Sequence, residues 1–146
     1  MKKIQVLFID DDTSLQTLAS AMLNPGIFDV IAVTRTAQAE KVLSQRRMDV
    51  IVCDVMMPDE DGLRFCRRLK DRGDRTPLLF LSAVGDPHTI QQGLAAGADD
   101  YLVKPFDIHE LQKKLLSMLG ISKASAQTPS KNPPKKPSGP LGWLRG

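Results

Sequence analysis

Apolar residues fall into two alternating rhythms along the chain. Five short runs are almost continuously apolar and partly β-branched: Ile4 to Ile9, Val30 to Val33, Val50 to Cys53, Leu78 to Leu81 and Tyr101 to Val103. Such runs predict strands covered on both faces, because a strand with one face in water alternates apolar with polar. Between them apolar positions return every three or four residues, as at Leu15, Leu18, Ala19 and Met22, at Ala39, Val42 and Leu43, and at Leu63, Cys66 and Leu69. That spacing predicts helices with one buried stripe. The last helix is marked at both ends. Asp107 is an N-cap with Glu110 three residues on, Phe106 and Leu111 form a hydrophobic staple, and Gly120 stops a stripe of Ile108, Leu111, Leu115 and Met118. Strand and helix in strict alternation predict an α/β domain on a parallel sheet.

The pattern ends after residue 120. TPSKNPPKKPSGP alone holds five of the ten prolines, and such a stretch buries too little apolar surface to offset the entropy of ordering it. The expected division is a folded domain over 1–120 and a flexible Pro/Lys-rich tail or linker over 121–146. Trp143, between Leu141 and Leu144, reads as a small docking motif, as the start of a further domain, or as end sequence with no role of its own, the plainer readings being preferred. With 146 residues, 42% of them hydrophobic, the chain supplies one ordinary core and not two. Its net charge of +3 misleads, since the tail has five basic residues and no acidic one, leaving −2 on the first 120. Direct nucleic-acid binding by residues 1–120 is therefore not expected. Cys53 and Cys66 lie in apolar stretches and read as reduced, small hydrophobic residues. The first apolar run is too short for a signal peptide or a membrane span, so the expectation is a cytoplasmic protein without a membrane partner.

Polar residues of chemical interest stand where strands end. Asp10, Asp11 and Asp12 follow the first, Asp54 the third, Ser82 the fourth and Lys104 the fifth. In an open parallel sheet the carboxyl ends carry the ligand site. With the first strand central, strands one and three are neighbours, which brings Asp10, Asp11 and Asp54 into one acidic pocket. Three carboxylates at close range repel unless a cation compensates, and oxygen-only ligation favours a hard ion such as Mg²⁺. Plain capping is the alternative for the run, because Asp12, Thr13 or Ser14 can start a helix, and an Asp at a strand end can be a turn residue. Lys104 precedes Pro105, which holds it extended and raises the chance of a cis bond. It reads as a phosphoryl-oxygen ligand or as a surface lysine; Ser82 likewise reads as a second donor or as a turn cap. Together these residues supply a nucleophile, a cation site and two donors for a transferring phosphoryl group.

The ordered set LFIDDD, VIVCDVMMPDEDG, LLFLSA and GADDYLVKPF resembles the response-regulator receiver domains of two-component and phosphorelay signalling, from about Lys3 to Leu119. The resemblance implies a flavodoxin-like (βα)5 doubly wound sheet of strand order 2-1-3-4-5. It makes Asp54 the acceptor of a phosphoryl group from a sensor histidine kinase or a histidine phosphotransfer protein. Mg²⁺, for which Mn²⁺ substitutes, is then held by Asp10 (mainly through water), Asp11, Asp54 and the Met56 backbone carbonyl. Ser82 and Lys104 take phosphoryl oxygens, and Tyr101 is the switch aromatic that turns inward as Ser82 moves; simple packing at the sheet edge is the alternative for Tyr101. Water then releases the phosphate slowly, the more so because Met56 and Val84 offer no acid or amide to guide it. Ser at 82 lacks the methyl of the commoner Thr, and Gly93 is expected to loosen the fourth helix.

Gln16, Thr17 and Ser20 read as a kinase-docking face or a plain exposed one, and Asp59, Glu60 and Asp61 as a partner-selecting or merely solvated loop. Output falls either to a downstream protein or to a C-terminal domain beyond the linker. A phosphate-independent interaction module is the competing function. A haloacid-dehalogenase-like hydrolase would use Asp10 and Asp12 as its DxD pair but leaves Asp54 idle.

Overall fold

The computed structural model describes residues 2–57, 59–83 and 87–120. Pro58, Val84 and the tail lie outside them. Ten elements alternate without exception: β1 Ile4–Ile9, α1 Thr13–Met22, β2 Phe28–Val33, α2 Thr36–Gln45, β3 Val50–Asp54, α3 Gly62–Asp71, β4 Leu78–Ser82, α4 Pro87–Ala95, β5 Asp100–Val103 and α5 Ile108–Met118. All four pairings are parallel, and the strand order is β2-β1-β3-β4-β5. The α/β reading and its order are thus borne out.

The apolar runs are continuous because side chains leave a strand alternately on two faces and both faces are covered. Val6, Phe8, Val50, Val52, Leu79 and Leu81 meet Ala19 of α1 and Leu111 and Leu115 of α5 on one side. Leu7, Ile9, Ile51, Cys53, Leu78 and Phe80 meet Ala39 of α2 and Phe65, Cys66 and Leu69 of α3 on the other. Every residue of β3 and β4 is buried, whereas β2 and β5 at the edges are buried only in part. Both cysteines are buried and free. No helix among the described residues is long and apolar enough to cross a membrane.

Local signals hold where they are chemical. Asp107 accepts the Glu110 N–H at 2.8 Å while the Glu110 carboxylate accepts the Asp107 N–H at 3.1 Å, closing the expected capping box. Gly120 follows α5 with φ of +73°. The α5 stripe takes in Leu116 as well, and Met118 packs against the core only partly buried. The side chains of Leu18 and Met22 lie outside the described set. Gly93 has a tighter role than loosening a helix: a Cβ there would come within 3.0 Å of the Phe80 ring, so its smallness lets α4 lie close to the sheet.

Candidate functional site

Two strand ends create the site. β1 and β3 are neighbours in register, Ile9 beside Cys53, so the next residues, Asp10 and Asp54, emerge side by side at the carboxyl edge. Asp54 is the last residue of β3 and Ser82 the last of β4, one step further into the strands than their apolar runs suggest. Both still pair in the ladder, Asp54 with Leu81 and Ser82 with Val103, and the Val55 N–H donates to the Leu81 carbonyl at 3.0 Å. A residue held by the sheet ladder has less freedom than one in a loop, which suits a group that must meet a partner in line.

One carboxylate oxygen from each of Asp10, Asp11 and Asp54 lies within 4.8 Å of the other two. Asp10 is fully buried, Asp54 is 7% exposed, and Asp11 faces solvent. The Lys104 ammonium donates to Asp10 Oδ2 at 2.9 Å and to Asp54 Oδ2 at 3.1 Å. The backbone seats it there: the Lys104 N–H donates to the Ser82 carbonyl at 2.8 Å, and the Lys104–Pro105 peptide is cis. The other Asp54 oxygen accepts the Met56 N–H at 3.1 Å.

The charges do not balance. Burial pushes the Asp10 carboxyl above its ordinary value, the Asp54 charge adds to that, and the Asp12 N–H and Lys104 only partly oppose it. Burial works against the Lys104 ammonium, yet its hydrogen bonds to Asp10 and Asp54 overcome this and hold its pKa above the ordinary lysine value. Three carboxylates thus face one ammonium. The donor set is all oxygen and its excess charge is two, so it fits a hard divalent cation.

Asp12 takes no part in that cluster. Its side chain accepts the Leu15 N–H at 3.1 Å and caps α1, so the capping reading is right for this residue and insufficient for its two neighbours. A DxD pair of Asp10 and Asp12 is accordingly not what the site presents. Gln16 corrects an expectation: it is 9% exposed rather than part of an outer polar face. Its amide donates to the Asp10 carbonyl at 2.7 Å and to the Val33 carbonyl, tying α1 to two strand ends. Thr17 and Ser20 are exposed as expected.

Asp59 and Asp61 are exposed and Glu60 is half-buried, and none belongs to the cluster, yet each is engaged by other groups. Asp59 accepts the N–H groups of Thr36 and Ala37, Glu60 pairs with Arg68, and Asp61 caps α3 by accepting the Leu63 N–H at 2.8 Å. Gly62 went unnoticed in the sequence, where the run MPDEDG was its only signal. A Cβ at that position would lie 2.4 Å from the Asp54 carbonyl oxygen, so only glycine lets α3 start against the strand that carries Asp54.

Tyr101 stands apart from the carboxylates. It is partly buried, and it lines a narrow recess with Val55, Phe80, Ser82, Ile90 and Leu94. The Lys114 ammonium lies 5.6 Å from its ring centre. Ser82 and Tyr101 therefore border one space between β4, α4 and β5.

An open, doubly wound sheet with an acidic cation site and a lysine at its carboxyl edge defines a class of phosphoryl-handling signalling domains. Comparison with known proteins narrows this, because the response regulator receiver domain family matches residues 6–116. The chain belongs to that family. It is 36% identical over 117 residues to the phosphate regulon transcriptional regulatory protein PhoB of Rhizobium meliloti, covering 79% of this chain and 52% of that protein. The chain spans about half the length of the curated relatives it matches. The receiver domain of Francisella response regulator 1452 superposes with a TM-score of 0.77 at 30% identity, over 81% of this chain and 98% of that one. The receiver domain of a sensor histidine kinase from Pseudomonas aeruginosa, solved with a magnesium ion coordinated in its active site cleft, gives 0.73 at 30% identity over 82% and 99%. Family and carboxylate cluster together support a phosphorelay switch.

Proposed function

We propose that Asp54 is the phosphoacceptor of this switch. The observation that carries the reading is the Asp54 carboxylate at the end of a central strand, 3.1 Å from the Lys104 ammonium and clustered with Asp10 and Asp11. An Asp54 oxygen attacks phosphorus in line, the bond from phosphorus to the donor histidine nitrogen breaks, and its electron pair leaves with the imidazole. The product is an acyl phosphate. Lys104, already bridging two carboxylates, follows the new negative charge onto a phosphoryl oxygen, and the Ser82 hydroxyl donates to another.

Asp10, Asp11, Asp54 and the Met56 carbonyl are the groups that would hold Mg²⁺, or Mn²⁺ in its place. The ion supplies charge neutralisation at the transferring group. Ser82 movement frees space in the recess it shares with Tyr101, which turns inward and reshapes the face of α4, β5 and α5. Water slowly reverses the modification. The phosphoryl donor is a sensor histidine kinase or a histidine phosphotransfer protein in the cytoplasm, and output goes to a downstream protein or to a domain joined through the tail.

Intact mass after incubation with Mg²⁺ and a small acyl-phosphate donor tests this directly. A gain of about 80 Da in the unmodified chain and none in Asp54→Ala is expected. No gain in a chain of intact fold at any incubation time would replace the phosphoacceptor with a phosphate-independent interaction module.

A further inference from the structure

The loop that leaves Asp54 is fastened by side chains remote from the carboxylate cluster. The first N–H groups of a helix have no partner within it, and at α2 the N-cap residue Arg35 provides no side-chain capping bond. Asp59 provides it from the loop after β3. Its carboxylate accepts the Thr36 N–H at 3.2 Å, the Ala37 N–H at 3.1 Å and the Thr36 hydroxyl at 3.0 Å. Glu60 also lies 2.9 Å from that hydroxyl. One hydroxyl proton serves one acceptor at a time, so the balance for Glu60 comes from Arg68, whose guanidinium grips both its oxygens. Arg68 continues to Glu40 on α2 at 2.9 Å, closing a ring through the loop, α3 and α2.

These contacts bear on the site through the backbone. Met56 lies in the same loop, forms an isolated bridge with Asp61, and donates its N–H to Asp54 at 3.1 Å. Its side chain is 75% exposed, so side-chain packing does little to fix it. What fixes the Met56 peptide is its N–H bond to the Asp54 carboxylate, the Gly62 N–H bond to the Val55 carbonyl at 2.8 Å across the bridge, and the fastening of the loop at Asp59 and Glu60. We propose that Thr36, Asp59 and Glu60 are positioning residues that hold the loop after β3 so that the Met56 carbonyl and the Asp54 carboxylate are preset for a divalent cation. The inference rests on the reading of Asp10, Asp11, Asp54 and Met56 as the cation site.

Residues that orient metal ligands typically alter affinity about 10- to 100-fold when removed. Full-length chains carrying Asp59→Ala or Thr36→Val should bind Mg²⁺ about tenfold more weakly in a calorimetric titration, with no phosphoryl donor present. Thr36→Ser, which restores the hydroxyl, should return affinity to within about twofold. Asp74→Ala is the matched control: it loses bonds to the Thr76 N–H at 2.9 Å and hydroxyl at 2.7 Å at the opposite end of the sheet, and should leave Mg²⁺ affinity unchanged. If Asp59→Ala and Thr36→Val fold, lose stability and still bind Mg²⁺ like the unmodified chain, the fastening is structural only and the proposal fails. Absence of Mg²⁺ binding by the unmodified chain is a separate outcome, which overturns the cation site itself and the inference with it.

Discussion

Two triplets of consecutive acidic residues look alike in the sequence and behave oppositely in the fold. Asp10, Asp11 and Asp12 follow a central strand; Asp59, Glu60 and Asp61 lead into α3. In the first, two of the three carboxylates crowd against Asp54 with one ammonium between them, and burial pushes Asp10 above its ordinary pKa. In the second every carboxylate has donors. Asp59 is held below its ordinary value by the Ala37 and Thr36 N–H groups and the Thr36 hydroxyl despite some burial, and Glu60 is held down chiefly by Arg68. An acidic run is thus no evidence of a cation site by itself. What separates the two is whether the fold has already supplied the positive partners.

The largest contrast is expected in cation binding. Asp11→Asn should weaken Mg²⁺ binding about tenfold or more, whereas Asp61→Asn, which keeps a capping oxygen for Leu63, should change it less than about twofold. Parallel titrations of the two variants check this. Equal losses would erase the distinction.

Stability should move in opposite directions. Because the Asp10 pKa is raised in the fold, its favourable contribution is complete below the ordinary value of 3.8 and is lost as pH rises through the folded value. Asp10→Asn should therefore stabilise the chain at neutral pH by about 1–2 kcal/mol in urea unfolding, as removal of charge strain at functional sites does. The gain should vanish in acid.

Glu60 has the opposite sign. Its pKa is lowered, so its contribution is present above the ordinary value of 4.5 and is lost as pH falls through the lower folded value. Glu60→Gln should cost about 1 kcal/mol at pH 7, allowing for the partial exposure of Arg68, and progressively less in acid. Urea midpoints across a pH series provide the test. The smallest effect belongs to the outer pair of Arg72 and Glu40, 2.7 Å apart with the arginine side chain 44% exposed. Arg72→Ala should cost about 0.5 kcal/mol and respond to added salt.

How far the sequence reaches follows from the range of each interaction. β1 matches its apolar run at both ends, and the capping box at Asp107 and Glu110 closes as expected. Both depend on neighbours in the chain. β3 and β4 extend one residue further, to Asp54 and Ser82, because ladder hydrogen bonds from adjacent strands continue past the last apolar side chain. β2 begins at Phe28, two residues before its β-branched run, through pairing with Ile4 and Gln5. Asp10, Asp11, Asp54 and Lys104 were legible as a group because strand ends and order bring them together. Gln16 and Asp59 were not, since their partners lie 17 and 23 residues away in the chain at Val33 and Thr36. Polarity alone places such residues in water, and only tertiary contact shows an amide or carboxylate used to satisfy another segment's backbone.

The placement of Asp54 also sets where a disturbance can travel. β3 is hydrogen-bonded to β1 on one side and β4 on the other, while β5 has β4 alone and is four residues long. A force applied at Asp54 meets a stiff lattice in the middle of the sheet and a compliant margin at Tyr101. In the proposed switch, the short edge strand that carries Tyr101 is where a change at Asp54 would be expressed.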